Sequence, residues 1–163
     1  MKKIYYLAFL ISAFIIVSDC AGYKPIFAST SLKFKISTYD IEGDTILGNK
    51  LYAKLNNLSK SQKNNSDAKN FDLLINITKT RNTTLKDSSG KILEYKMNLN
   101  TKIKMVDFTT GKILLDRDFN SSLNYKKQDQ YSDTIKLENQ IIENLINKTY
   151  QEILIDLSKN ISS

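Results

Sequence analysis

The chain has 163 residues, about the size of one domain, and a formal net charge of +7. It has no histidine and one cysteine, Cys20. Those counts exclude an internal disulfide, the commonest general base, a zinc cluster and a histidine-based nucleophilic triad.

Met1-Lys2-Lys3 is a short basic start, and Ile4 to Val17 is a nearly unbroken apolar run of 14 residues that stops at Ser18-Asp19-Cys20. That pattern is a signal peptide over residues 1–19. A helix across a bilayer takes about 20 residues, so the run is long for a cleaved signal core and short for a permanent anchor. An uncleaved anchor is the alternative reading. An export signal implies an oxidising destination, where a lone exposed thiol is a liability. The position of Cys20 at the end of the run fits acylation, which anchors a protein without a spanning helix. Val17-Ser18-Asp19-Cys20 resembles a bacterial lipobox, with Asp19 where a small residue is usual. Ala21 follows the cysteine, where an Asp is the usual inner-membrane retention signal, so delivery to the outer membrane is compatible.

Loss of Lys2, Lys3 and Asp19 with the signal takes the charge from +7 to +6. A basic exported surface points to phospholipid headgroups, lipopolysaccharide phosphates or other acidic envelope polymers, and not to nucleic acid. The bland reading is that lysines are scattered over a solvated surface in a chain rich in Asn, Lys and Ile throughout.

Residues 20–30, with Pro25 disfavouring a helix start, read as a lipidated tether. Residues 31–163 read as a single α+β domain. Leu32, Phe34 and Ile36 alternate with Lys33, Lys35 and Ser37, giving a first strand. Ile46, Leu47, Leu51, Leu55 and Leu58 recur at helical spacing, with Asp44 or Thr45 as cap. Ser59 to Asn70 has no large apolar residue and reads as a mobile loop. Phe71, Leu73, Ile75 and Ile77 predict a second strand, and Arg81 to Gly90 a polar turn built on Asp87-Ser88-Ser89-Gly90. Leu93 to Met105 holds a period of two over a long third strand. Thr109-Thr110-Gly111-Lys112 supplies a hairpin turn, and Ile113 to Tyr125 a fourth strand. Strands joined by such turns should pair antiparallel. From Ser132, a plausible N-cap, to about Ser158, apolar residues recur at helical spacing with no Gly or Pro. The order β-α-β-β-β-α predicts a two-layer sandwich, two helices packed on a four-stranded sheet.

Chemistry is sparse in this pattern. Asp116 and Asp118 flank Arg117 and would share one strand face, which reads as a surface ion pair before it reads as a catalytic carboxylate pair. No catalytic residue, metal site or cofactor is expected. Lys79, Arg81, Lys86 and Lys91 bracket the turn between the second and third strands, with Asp87 the only acid among them. Converging at a hairpin tip, they can engage phosphates or phosphorylated sugars, or equally serve to keep strand edges soluble. Lys126 and Lys127 form a second, smaller basic group.

Cys20-Ala21-Gly22-Tyr23-Lys24-Pro25-Ile26-Phe27 resembles the start of the mature lipopolysaccharide-assembly lipoproteins of the LptE family, where a lipidated cysteine leads into a Gly-aromatic-x-Pro-aliphatic-aromatic segment. Here that segment is displaced by the extra Ala21. The succession of elements and the long final helix are similar to the same family. The resemblance implies a lipidated Cys20 carrying palmitate-type chains. It also implies a plug within the outer-membrane barrel protein LptD, and a shared role in inserting lipopolysaccharide. Lys79, Arg81, Lys86 and Lys91 are then candidate contacts to lipid A or core phosphates, an inference from charge position. An envelope lipoprotein with a different partner on the periplasmic side is the alternative.

Overall fold

The computed structural model describes residues 34–61 and 68–161. The expected signal peptide (1–19), the lipidation site Cys20, the tether (20–30) and Leu32 of the first strand lie outside the described residues.

The described residues form β1 (Phe34–Gly43), α1 (Thr45–Ser61), β2 (Lys69–Lys86), β3 (Ile92–Asp107), β4 (Ile113–Lys126) and α2 (Tyr131–Ile161). The four strands make one mixed sheet in the order β1-β2-β3-β4. β1 and β2 pair in parallel, because α1 carries the chain back along the sheet between them. β2, β3 and β4 form an antiparallel meander. The expected α+β architecture of two helices and four strands is the one observed.

Alternation along the strands builds the core. Phe71, Leu73, Ile75 and Ile77 of β2, Met97, Leu99, Ile103 and Met105 of β3, and Leu115 and Phe119 of β4 are buried against the helices. The residues between them, among them Asp72, Asn76, Lys102, Asp116 and Asp118, form the polar outer face. From α1, Leu47, Leu51 and Leu55 join the core, and from α2, Ile142, Leu145, Ile146, Ile153 and Leu157. At about 25 cal/mol per Å², such burial is the main favourable contribution to folding. Tyr52 of α1 stacks on Tyr39 of β1 with ring centroids 3.8 Å apart, and Lys50 pairs with Glu143 across the two helices.

Two glycines set how closely α1 meets the sheet. Gly43 has φ +83°, and a Cβ there would lie 2.3 Å from the carbonyl oxygen of Ile77. That opening lets Asp44 N–H donate to the same carbonyl at 2.8 Å as β1 leaves the sheet. At Gly48 a Cβ would lie 2.3 Å from Cγ2 of Ile41, so helix and strand approach as they do only without a side chain. Asp44 caps α1, its Oδ1 accepting from Leu47 N–H at 3.1 Å.

Three boundaries differ from the sequence expectation. The helix continues through Ser61 and β2 begins at Lys69, so both ends of the expected loop Ser59 to Asn70 belong to elements, and residues 62–67 of it lie outside the described residues. α2 begins at Tyr131, which places Ser132 inside the first turn and not at the cap. The largest difference is at Arg81 to Gly90: residues 81–86 belong to β2, and only Asp87 to Gly90 turn. Threonines and asparagines there have no apolar period to reveal a strand. Both faces of that stretch are exposed, and ladder hydrogen bonds to β3 hold it.

Candidate functional site

The β2–β3 hairpin outruns β1, while β4 follows β3 to Glu94. β1 ends at Gly43, paired with Ile77, while β2 continues to Lys86 with β3 alone beside it. Residues facing the helices along β2 continue past Ile77 as Lys79 and Arg81, so two of the four candidate cations stand on the strand and not at the tip. Lys79 Nζ lies 3.8 Å from Asp44 Oδ2. Arg81 Nη1 donates to Glu138 Oε1 at 2.8 Å, and its guanidinium lies over the Tyr95 ring at 4.8 Å. The same Glu138 oxygen accepts from the Tyr125 hydroxyl at 2.6 Å. Burial, and then that hydrogen bond, push the Tyr125 phenol well above its ordinary pKa. Arg81, Tyr95, Tyr125 and Glu138 thus tie the hairpin to the first turns of α2.

Lys86 and Lys91 do flank the turn. Asp87 Oδ1 accepts from Ser89 N–H at 2.9 Å, Ser89 Oγ at 2.7 Å and Lys91 N–H at 2.9 Å. The Ser89 hydroxyl, and then the Lys91 amide, hold the Asp87 carboxyl below its usual range. Its oxygen is occupied by the turn, while the Lys86 and Lys91 side chains are exposed. Lys127 N–H donates to the Leu93 carbonyl at 2.9 Å, and Lys126 pairs with Glu94 in the ladder. The structure therefore merges the two basic groups that look separate in the sequence.

Apolar side chains at this end were not legible as part of a site. Leu85 is 51% exposed, and Leu93 and Tyr131 are exposed as well. Leu85 stands alone in a polar stretch, and Leu93 fits an alternation that elsewhere means core. The register shifts around Leu85 are what turn it outward from the strand pattern. Cations beside exposed apolar groups can contact a ligand that is anionic at one end and apolar at the other.

The remaining polar clusters have structural partners. Asp116 and Asp118 lie together on the outer face, with Asp116 3.8 Å from Lys102. Arg117 points to the helix side and donates to Asp156 Oδ2 at 2.6 Å. No group of three or more metal-binding side chains occurs among the described residues, and no described helix is long and apolar enough to cross a membrane.

No protein-family model matches the chain, and no curated protein sequence matches it significantly. Solved structures do match. Lipoprotein B from Nitrosomonas europaea superposes with a TM-score of 0.57 at 14% identity, over 80% of this chain and 86% of that one. A minor lipoprotein from Acinetobacter baumannii gives 0.55 at 19% identity, over 79% and 95%. Rare lipoprotein B from Shewanella oneidensis gives 0.53 at 12%, over 77% and 99%. The chain shares their fold over nearly their full length.

Proposed function

We propose that the chain is an outer-membrane lipoprotein, not an enzyme, anchored through acylated Cys20 and facing the periplasm and a barrel lumen. In this reading it partners an LptD-type barrel as a plug and assists the assembly and insertion of lipopolysaccharide. The amino-terminal pattern, the Gly22 to Phe27 segment and a fold shared with bacterial lipoproteins support it.

The observation that carries the ligand side of the proposal is the distal hairpin end. Lys86, Lys91, Lys126 and Lys127 stand at that end, as do exposed Leu85 and Leu93 on the two faces of the sheet. Ammonium groups suit the phosphates of lipid A and core sugars, and the leucines suit its acyl chains. Lys79 and Arg81 extend the basic surface down the hairpin, each already facing a carboxylate of the protein. Their share in binding is therefore expected to be smaller than that of Lys86 and Lys91.

Binding of purified lipopolysaccharide to the full chain tests this directly. The double substitution Lys86→Glu with Lys91→Glu should weaken binding at least about tenfold, the scale of losing two charge-assisted contacts. The wild-type affinity should fall as salt rises. Unchanged binding by a folded double variant would remove the hairpin tip from the site.

A further inference from the structure

The opposite end of the domain, where β1 begins, carries its own exposed apolar pair. Phe108 and Ile113, in and just after the turn between β3 and β4, are 59% and 52% exposed. The sheet fixes that turn beside the start of β1: Phe34 pairs with Lys69, and Phe108 N–H donates to the Asn70 carbonyl at 2.9 Å. Lys69 and Lys112 are exposed at the same end. The one carboxylate in the turn, Asp107, accepts from Thr109 and Thr110 N–H at 2.9 and 2.8 Å. Neither apolar side chain belongs to the core.

Chain length limits which end an upright domain can rest on. Phe34 stands 14 residues beyond Cys20, so an anchor there holds Phe34 within about 50 Å of the bilayer, even at full extension. β2 has 18 residues, which extend about 60 Å. Standing upright on the distal hairpin would put Phe34 about 60 Å above the lipid, beyond that reach. An upright domain can rest only on its proximal end.

Building on the lipoprotein reading, we propose that Phe108 and Ile113, flanked by Lys69 and Lys112, seat the proximal end on the bilayer surface that holds the Cys20 anchor. The apolar side chains enter the headgroup boundary and the lysines meet anionic headgroups. The hairpin tip then lies a full strand length from the headgroup boundary that holds the anchor.

The chain contains no tryptophan, so Phe108→Trp and, separately, Leu85→Trp each introduce a single fluorophore at an exposed position. The full chain, purified from a Gram-negative host, is reconstituted into phosphatidylethanolamine and phosphatidylglycerol vesicles with brominated acyl chains. Seating is expected to quench the tryptophan at 108 by about twofold or more and shift its emission to the blue, with the one at 85 little changed. Adding Ile113→Asp should reduce that quenching. Equal quenching at both positions, or none at 108, overturns the proposal. The intact mass of the same sample shows separately whether Cys20 is acylated. An unmodified Cys20 sinks the lipoprotein reading, while the contrast between positions 108 and 85 still decides the seating of a chain held by its apolar segment.

Discussion

Thr101 is 2% exposed on the inner face of β3, and its hydroxyl has no hydrogen-bond partner among the described residues. A buried hydroxyl without a partner has lost water and gained nothing in return. Thr101→Val keeps the branched shape and removes the hydroxyl, so it should stabilise the fold by about 1 kcal/mol. The check is a higher urea midpoint with an unchanged slope. Tyr125 acts through pH. Burial and the bond to Glu138 raise its folded pKa above the ordinary tyrosine value of about 10. Its contribution is therefore complete below that pH and is lost as pH rises through the folded value. Melting curves from about pH 9 to about pH 11 should show stability declining, and Tyr125→Phe should flatten the decline. An equal decline in the variant would assign it to other groups. Neither residue was legible in the sequence as special. Both sit in register in a strand pattern, and only the facing helix reveals that Thr101 is unpartnered and Tyr125 is paired.

Elements with a strong period were legible, and those held by their neighbours were not. Phe71, Leu73, Ile75 and Ile77 announce a strand because one face is buried, and α2 announces itself by an uninterrupted helical stripe. Residues 82–86 carry no such signal, since they lie beyond the Arg81–Glu138 contact with α2 and their strand conformation comes from β3. The parallel pairing of β1 with β2 follows only once the helix between them is seen to return along the sheet. This contrast has a dynamic consequence. Amides of residues 82–86 are held by one neighbouring strand with no core beneath, so they should open locally far more often than those of residues 71–77. Hydrogen exchange measured along β2 should show protection falling sharply after Ile77. Uniform protection to Lys86 would mean that residues 82–86 have support besides β3.

Across the described domain, each end of the sheet carries lysines and exposed apolar groups, with a polar outer face between them. The distal end carries Lys86, Lys91, Lys126 and Lys127 together with Leu85 and Leu93, and the proximal end holds Phe108 and Ile113 near the start of β1. Lysines are visible one by one in a sequence, so the basic hairpin was legible in outline. The union of its two groups, and the displacement of Lys79 and Arg81 from its tip, depend on register and on the true length of β2. Such a two-ended arrangement suits a protein held by lipid at one end and reaching a ligand or a barrel interior with the other. The most direct test of the proposed partnership uses the full chain with a mild affinity tag, expressed in its native host or a Gram-negative relative. Membranes are extracted gently and the copurifying proteins identified. The account expects a large outer-membrane barrel protein in about equal amount, retained through size exclusion, as a plug and its barrel would be. Recovery of the acylated chain alone, or with a partner that is not a barrel, would contradict it.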